Sequence, residues 1–474
     1  MPNDDLAFTP ASDLRQLIDS RQVSIVELAD LFLRRIEALN PRLNAYLTVT
    51  ADEALASARA AERALLRGEQ LGPLHGIPIS IKDLEITKGI RSTMGSLVFK
   101  DHVPTQDSIV VERVRSSGAI ILGKTNTPEF GFSGTTENRL GDACRNPWNT
   151  ERTSGGSSGG AGAAVAAGLC TIATGSDGGG SIRIPSSFCG IYGIKPSQGR
   201  VPRYGGVGRP AYNTTSQSGP MTRTVQDTAL LLQALAGPDS RDPGCMKVEP
   251  PDFVAALDQG ARGLRLAWSP DLGYAAVDPE VLDATLRAAR VFEELGCTVD
   301  EPELALEDPF SAFWDIFSIQ GYTSYGHLLE SHREELTEYG RRTIGHGQEV
   351  TAADYSRALL RAQQLQARME ALFERYDLLL TPTMAVPAFP VGQHPTVIGG
   401  RQVHPFWGYL PFTFLFNLTM QTAASVPCGF SSDGMPIGLH IIGRRGDETT
   451  VLRASAAFEQ AHPWANKRPP VFSP

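Results

Sequence analysis

The chain has 474 residues, enough for one large single-sheet α/β enzyme or for more than one domain. Its 43 basic and 52 acidic residues give a formal charge of −9, so the composition indicates no surface for binding a polyanion. The first ten residues, MPNDDLAFTP, lack the basic and apolar regions of a signal peptide, and no run of 18 apolar residues follows. We therefore expect a cytoplasmic protein that binds neither nucleic acid nor a membrane.

The cysteines show no CxxC spacing and no histidine partner at ligand distance in the sequence. They are Cys144, Cys170, Cys189, Cys245, Cys297 and Cys428. A chain of this length does not need disulfide bonds to stabilise its core. We expect reduced and mostly buried thiols, with no metal and no organic cofactor.

Two helices are predicted at the N-terminal end. Residues 24–40 carry apolar residues at helical spacing, and Ser24 with Glu27 forms a capping box at the start. We expect Pro41 to end this helix. A second helix, rich in alanine and arginine, is predicted over residues 51–67.

Helices and apolar strands then alternate along the chain. Residues 77–81 read as a buried strand that ends at Lys82, and residues 119–122 as another. Residues 107–117 and 161–168 are predicted helices, the first ended by Gly118, and residues 172–174 form a further strand. This alternation is typical of a largely parallel sheet.

The C-terminal half begins with a segment rich in proline, aspartate and glycine at residues 236–263. A strand–helix–strand unit is predicted beyond it, from segments 264–268, 279–295 and 297–299. A long helix is predicted over residues 351–376, with a capping box of Thr351 and Asp354, before a strand at 378–380.

Two clusters of glycine and serine are the main chemical feature of the sequence. Residues 155–160 read GGSSGG, and residues 175–185 read GSDGGGSIRIP. Glycine loses more conformational freedom on folding than any other residue, so two such clusters need a reason. A backbone without side chains lets a substrate carbonyl approach main-chain N–H groups and serine hydroxyls.

These clusters, with PLHGIPISIKD at residues 73–83 and GKTN at 123–126, resemble the amidase signature family of serine hydrolases over nearly the whole chain. The resemblance implies an α/β fold with a single large mixed, mostly parallel β-sheet covered by helices on both faces. It divides the chain into a helical lead-in (1–70), a catalytic core (71–235), a variable insertion with the substrate funnel (236–410) and a return to the core (411–474).

The resemblance also implies a mechanism for cleaving an amide, anilide, ester or carbamate of a small molecule. Ser181 attacks the carbonyl carbon to form an acyl-enzyme, Ser157 passes the proton, and Lys82 receives it. The peptide bond that enters Ser157 is expected to be cis. Lys82 must be neutral near pH 7 against a free pKa of about 10.4, so we expect burial beside hydroxyls. Residues implied to contact the substrate are Gly131, Phe132 and Ser158.

An oxyanion hole is predicted at the second glycine cluster. The consecutive N–H groups of Gly178, Gly179, Gly180 and Ser181 can converge on one oxygen. Many members of the resembling family carry a larger residue where this chain has Gly178, so we expect this departure to affect substrate size. A homodimer is compatible with the sequence.

Two aromatic clusters lie in the region that varies within the resembling family, where they flank segments that line the mouth of the site. They are Phe310, Phe313, Trp314, Phe317 and Tyr322, and Phe406, Trp407, Tyr409, Phe412, Phe414 and Phe416. Most aromatic clusters are core. We expect some of these residues to shape an apolar funnel for a fairly apolar or aromatic substrate.

Two alternative functions of the glycine clusters fit the sequence less well. Residues 155–159 match GxSxG, which would make Ser157 the nucleophile of an α/β-hydrolase, but that turn needs an apolar strand before it and residues 148–154 are polar. A phosphate-binding loop needs a Gly-Lys-Ser/Thr or GxGxxG pattern, and neither is present.

A third alternative is the amidase subunit of an aminoacyl-tRNA amidotransferase, which works with partner proteins and tRNA. Residues 71–205 are very like that subunit. Against it, residues 385–416 are aromatic and apolar, and Met420 and Thr422 stand where glycine and proline are common. We predict a stand-alone hydrolase, with membership of an amidotransferase complex as the alternative.

Overall fold

The structure, a computed structural model, describes residues 3–206 and 214–470. Its strands in these residues, in chain order, are β1 Tyr46–Val49, β2 Pro78–Lys82, β3 Ile120–Thr125, β4 Ile172–Asp177, β5 Tyr192–Lys195, β6 Gln217–Thr222, β7 Arg265–Trp268, β8 Thr298–Asp300, β9 Leu378–Pro382, β10 Val397–Ile398, β11 Arg401–Gln402, β12 Thr422–Phe430 and β13 Pro436–Gly443. Eleven of them form one sheet in the order β1-β3-β2-β4-β6-β5-β12-β13-β9-β7-β8, while β10 and β11 pair with each other.

Helices surround this sheet. In chain order they are α1 Asn3–Leu6, α2 Ala11–Asp19, α3 Ile25–Leu43, α4 Ala51–Arg67, α5 Ile109–Ser116, α6 Gly159–Ala166, α7 Arg183–Cys189, α8 Val225–Leu235, α9 Pro279–Glu294, α10 Phe310–Tyr325, α11 Leu328–Ser331, α12 Glu338–Glu349, α13 Ala352–Arg375, α14 Leu415–Leu418 and α15 Glu448–Ala461. Short 3₁₀ turns occupy Leu97–Phe99, Glu129–Gly131, Ala255–Gln259 and Arg333–Glu335. No helix in the described ranges is long and apolar enough to cross a membrane.

The sheet is mixed as predicted, but the prediction of mostly parallel pairing is wrong. Six neighbouring pairs are antiparallel, namely β1–β3, β4–β6, β5–β6, β5–β12, β12–β13 and β9–β13. Four are parallel, namely β2–β3, β2–β4, β7–β8 and β7–β9. The antiparallel pairs involve strands that the sequence analysis did not identify. β12 and β13 follow each other directly and need only a short turn between them, which permits antiparallel pairing alone.

Most of the predicted helices are present, with small differences at their ends. Ser24 caps α3 by accepting the Glu27 N–H, and Thr351 begins α13 in a full capping box. Pro41 does not end α3, which continues for two more residues to Leu43. The helix stops there because the next residue, the C-cap Asn44, adopts the left-handed conformation with φ 47°. The predicted strand–helix–strand unit is present as β7, α9 and β8, with the two strands parallel.

The parallel strands β2 and β4 fix the place of the candidate site. They are direct neighbours, with Ile79 opposite Ile172. Their C-terminal ends therefore meet at the same edge of the sheet, where ligands of α/β proteins commonly bind. Lys82 ends β2 and Asp177 ends β4, and both side chains are fully buried. All six cysteines are free thiols, and all except the half-buried Cys297 are buried.

Candidate active site

Lys82 lies at the centre of a buried group of polar atoms. Its Nζ is 2.7 Å from Ser157 Oγ and 2.8 Å from Ser158 Oγ. It is also 3.3 Å from the carbonyl oxygen of Ser176. These three partners are neutral, and the lysine side chain is fully buried. The amine can therefore exchange a proton with a serine hydroxyl without crossing bulk water.

The peptide bond between Gly156 and Ser157 is cis, as the resemblance implies. A Cβ at Gly156 would lie 2.6 Å from the carbonyl oxygen of Thr135, so a side chain cannot be added without moving the backbone. Gly131 packs against the serine, and a Cβ there would lie 3.2 Å from Ser157 Oγ. The backbone on both sides of this cis bond is thus closely packed, and Gly131 leaves room for the Ser157 hydroxyl.

Ser181 joins the two glycine clusters at the wall of a cavity. Its carbonyl oxygen accepts the N–H of Ser158 at 3.1 Å. The hydroxyls of Ser157 and Ser181 line the same cavity of about 100 Å³. Ser181 is 9% exposed and Ser157 3% exposed, so both hydroxyls are largely shielded from solvent. The geometry brings together the three residues predicted to carry the chemistry.

The loop after β4 presents backbone N–H groups beside Ser181. In the described part of the chain, the N–H groups of Gly178, Gly179 and Ser181 make no intramolecular hydrogen bond. Gly180 differs, because its N–H donates to Asp177 Oδ1 at 2.7 Å. The predicted convergence of four N–H groups is therefore wrong for Gly180, and three N–H groups remain for a ligand oxygen.

A fully buried ion pair supports this loop. Asp177 Oδ2 lies 2.9 Å from Arg183 Nε, and both side chains have no exposed surface. Burial alone would raise the pKa of Asp177, but the charge and hydrogen bonds of Arg183 hold it well below its usual range. Asn417 Nδ2 also donates to Asp177 Oδ1 at 2.9 Å, and Arg183 Nη1 donates to the carbonyl of Thr413. Burial, and then the Arg183 charge, keep the pKa of His440 well below its usual value, so its Nε2 can accept from Arg183.

The cavity has an apolar wall and a polar wall. The apolar wall is formed by Leu84, Phe130, Phe132, Phe317 and Tyr325. The polar lining is formed by Ser157, Ser176, Ser181, Arg203, Thr215, Ser216, Gln320 and Ser324, with glycines at 131, 178 and 321. Gly131 and Phe132, which are predicted to contact the substrate, lie in this lining. Ser158 does not, because its fully buried hydroxyl contacts Lys82 and Ser176 instead.

Of the two predicted aromatic clusters, Phe317 lines this cavity. Five of the others are buried in the core: Phe313, Tyr409, Phe412, Phe414 and Phe416. The sequence analysis missed Phe130 and Tyr325, whose rings stack in the cavity wall with centroids 3.9 Å apart. Phe130 follows closely after the GKTN segment, and this position is the only sequence signal that could have indicated it.

Metal ligands do not cluster in this site. In residues 3–206 and 214–470, no group of three or more histidine, cysteine, aspartate or glutamate side chains is arranged to hold a metal ion. Two hydroxyl oxygens and one carbonyl oxygen lie within 3.3 Å of Lys82 Nζ. The arrangement is suited to proton transfer and to binding an oxyanion.

Comparison with known proteins gives the family. A family model described as Amidase matches residues 27–452. An acylamidase of Rhodococcus erythropolis is 38% identical over 99% of this chain and 98% of the relative. Another relative, a glutamyl-tRNA(Gln) amidotransferase subunit of Moorella thermoacetica, is 39% identical over 98% of this chain and 99% of the relative.

A solved structure gives the same result in three dimensions. The crystal structure of a bacterial aryl acylamidase of the amidase signature family has a TM-score of 0.91 to this chain, with 35% identity and 97% of each chain covered. The predicted family is therefore confirmed. Because the family model and these relatives span nearly the whole chain, the protein belongs to the amidase signature family and is an amidohydrolase.

Proposed function

We propose that this protein is a stand-alone amidase that cleaves small carboxamides, anilides included, through an acyl-enzyme on Ser181. The observation that carries the proposal is the buried contact of 2.7 Å between Lys82 Nζ and Ser157 Oγ, at the wall of the cavity that Ser181 also lines. A serine hydroxyl becomes nucleophilic only when a neighbouring group takes its proton. Ser157 and Lys82 supply that group.

In the first half of the reaction, Ser181 Oγ attacks the carbonyl carbon of the amide. Its proton passes to Ser157 Oγ, while the Ser157 proton passes to the neutral Lys82 amine. The carbonyl oxygen becomes an oxyanion, which the N–H groups of Gly178, Gly179 and Ser181 are available to bind. Preorganised donors of this kind commonly contribute roughly 10²–10³ to the rate.

The same relay then runs in reverse. The leaving nitrogen takes a proton from Ser157, which is replenished from Lys82, and the C–N bond breaks to leave an ester on Ser181. Water attacks the carbonyl carbon of this ester as it gives a proton to the relay. The relay then returns that proton to Ser181 Oγ as the ester C–O bond breaks, and the acid product departs. Ser157 and Lys82 thus carry the proton in both directions, which is the expected behaviour of a general base that later acts as a general acid.

The cavity and the relatives support a compact, partly aromatic substrate. The apolar wall contains four aromatic rings, and a cavity of ~150 Å³ is enough for a benzene ring. The volume here is about 100 Å³, below that figure, so the closed part favours a compact substrate and a ring bound there would extend beyond it. Two of the relatives described above are acylamidases, one of them an aryl acylamidase by its name.

The amidotransferase subunit remains a second candidate, because the relative from that complex is as similar in sequence as the acylamidase. The two candidates differ in what they need for activity. The purified chain alone should hydrolyse an aryl amide without ATP, tRNA or a partner protein. Activity that appears only after tRNA and partner chains are added would establish the amidotransferase role instead.

The nucleophile is tested by covalent trapping. An aryl fluorophosphonate should add one phosphonyl group to the wild-type chain, as seen by intact mass. Ser181→Ala should abolish both this adduct and turnover, with the rate falling by roughly 10⁶-fold. The exposed Ser116→Ala serves as the matched control and should retain both. An adduct that persists in Ser181→Ala would reject Ser181 as the nucleophile.

A further inference from the structure

Helix α10 presents one of its faces to the active-site cavity. The residues on this face are Phe317, Gln320, Gly321, Ser324 and Tyr325. They are spaced by three or four positions, so they lie on one side of the helix. The polar side chains of Gln320 and Ser324 therefore lie between the aromatic rings at either end. This polar stripe has no part in the proton relay.

A hydrogen bond joins the Gln320 amide to Thr215. Thr215 Oγ1 donates to Gln320 Oε1 at 3.2 Å. The amide nitrogen Nε2 carries two N–H donors, and no acceptor for them lies within residues 3–206 or 214–470. Since the half-buried Gln320 lines the cavity, these donors are available to a bound molecule.

Packing contacts hold this face of α10 close to the reacting groups. Phe317 lies beside the predicted oxyanion loop, because a Cβ on Gly178 would be 3.5 Å from Phe317 Cε2. Gly321 packs against Phe132, with a Cβ on Gly321 only 2.9 Å from Phe132 Cζ. Gln320 is three residues beyond Phe317, which is about 4.5 Å along the helix axis. A substituent on a substrate ring can therefore reach Gln320 while the amide is at Ser181.

We propose that Gln320 forms a recognition subsite for a hydrogen-bond acceptor on the substrate, which narrows the proposed function to amides of a single ring that carries a carbonyl, nitro or similar acceptor group. The inference rests on the proposed function. The amide donors select this class because a ligand that has only an alkyl group at that place desolvates them without giving a hydrogen bond in return. Ser324 lines the same stripe one turn further along.

The test measures binding in the catalytically inactive Ser181→Ala background, so that it does not depend on turnover. Calorimetry compares 4′-acetylacetanilide with 4′-isopropylacetanilide, and 4-acetylbenzamide with 4-isopropylbenzamide. Within each pair the two ligands have the same shape, and only the acetyl ligand has a hydrogen-bond acceptor on the ring. The ring is on the amine side of the amide in the acetanilides and on the acyl side in the benzamides. We expect the acetyl ligand of at least one pair to bind roughly 10-fold more tightly.

Two substitutions assign this preference to Gln320. Gln320→Leu should remove it, while the matched control Gln363→Leu, at an exposed position of α13, should keep it. Gln320→Glu retains an acceptor for the Thr215 hydroxyl but replaces the amide donors with a carboxylate. This variant should therefore bind 4′-aminomethylacetanilide more tightly than 4′-acetylacetanilide. An acetyl preference unchanged in Gln320→Leu would overturn the proposal.

If Gln320→Leu does not fold, Gln320→Glu is sufficient for the test. An acetyl preference that is unchanged in Gln320→Glu would also overturn the proposed subsite. The proposed subsite would also be overturned if the Ser181→Ala protein with Gln320 intact showed no acetyl preference in either pair. A wild-type chain that binds the acetyl ligands but never turns over an amide would reject the proposed function and leave the subsite standing. The two failures are therefore distinguishable.

Discussion

The backbone N–H of Gly180 donates a hydrogen bond of 2.7 Å to Oδ1 of Asp177. The carbonyl at the other end of the same peptide group, that of Gly179, accepts the Thr413 hydroxyl at 2.6 Å. One peptide unit is thus held at both its nitrogen and its oxygen. Because the N–H groups of Gly179 and Ser181 lie on either side of that unit, its orientation determines where they point.

Thr413→Val should therefore reduce catalysis more than it reduces substrate binding. The valine has the same shape but leaves the buried Gly179 carbonyl without its donor, at a cost of about 1–3 kcal/mol. We expect kcat to fall by roughly 10-fold with KM little changed, because the oxyanion forms only in the transition state. Thr413→Ser keeps the hydroxyl and should retain most of the activity. A lower Tm with unaltered kcat would show that the contact has only a structural role.

The glycines of the second cluster should differ in their tolerance of a methyl group. A Cβ on Gly178 would meet Phe317 and Ser216 at 3.5 Å, which is ordinary contact. A Cβ on Gly179 would lie 2.7 Å from Phe313 Cζ, which requires the buried ring to move. We expect Gly178→Ala to change the free energy of unfolding by less than about 1 kcal/mol, and Gly179→Ala to lower it by about 1–3 kcal/mol.

The same pair of variants reports on substrate size. Gly178→Ala adds its methyl group to the wall of the cavity, so KM for a ring-bearing amide should rise while that for acetamide should not. Denaturant unfolding and steady-state kinetics on the two amides measure both effects. Equal losses of stability in Gly178→Ala and Gly179→Ala would contradict this description of the loop.

The elements that the sequence predicts well are those set by neighbouring residues. Thr351 and Asp354 form the predicted capping box three positions apart, and α4 has the predicted bounds. The position of Lys82 at a strand end follows from the local apolar run of β2. The grouping of Lys82, Ser157 and Ser181 was inferred from the family resemblance, since 75 residues separate the lysine from its serine partner.

The contacts that the sequence does not predict link distant segments. Asn417 bonds to Asp177 across 240 residues, and Gln320 bonds to Thr215 across 105. No local pattern indicates such pairs, because they depend on how the strands are ordered in the sheet. Met420 is an intermediate case: it adopts φ 65°, a region that favours glycine, at a position where the resembling family commonly has glycine.

Glu459 should make the stability of the protein depend on pH. Burial raises the pKa of this carboxyl to about 7, partly offset by a hydrogen bond from the Val225 N–H. Above about pH 4.5 the unfolded chain releases this proton, while the folded chain holds it until about pH 7. The contribution of Glu459 to the free energy of unfolding is therefore present in full below pH 4.5 and is lost as the pH rises to about 7. The total loss is on the order of 3 kcal/mol.

Glu459→Gln remains neutral and should remove this dependence. The Tm of the variant minus that of the wild type should increase from pH 5 to pH 8, as measured by calorimetric scans at several pH values. Taking the difference cancels the titration of other buried groups. The exposed Glu294→Gln serves as the control and should show a nearly constant difference. A constant difference for Glu459→Gln would mean that this carboxyl is already ionised at pH 5.

The proposed base role of Lys82 predicts a particular pH profile. Its amine can accept the Ser157 proton only when neutral, so kcat/KM of the wild type should rise with pH to a plateau. Arginine at this position stays charged at any accessible pH and cannot take a proton. We therefore expect Lys82→Arg to lose roughly 10³-fold in kcat/KM together with the rising limb.

The arginine variant also separates two explanations of why a cation-forming residue lies beside Ser157. If a fixed positive charge sufficed, the guanidinium would supply it, and Lys82→Arg would approach wild-type activity with a flat profile. Lys88→Arg, at an exposed position six residues further on, makes the same substitution outside the site and should leave the profile unchanged. Comparable kcat/KM in Lys82→Arg and the wild type, in folded protein of similar Tm, would require that proton transfer from Ser157 to Lys82 be given up.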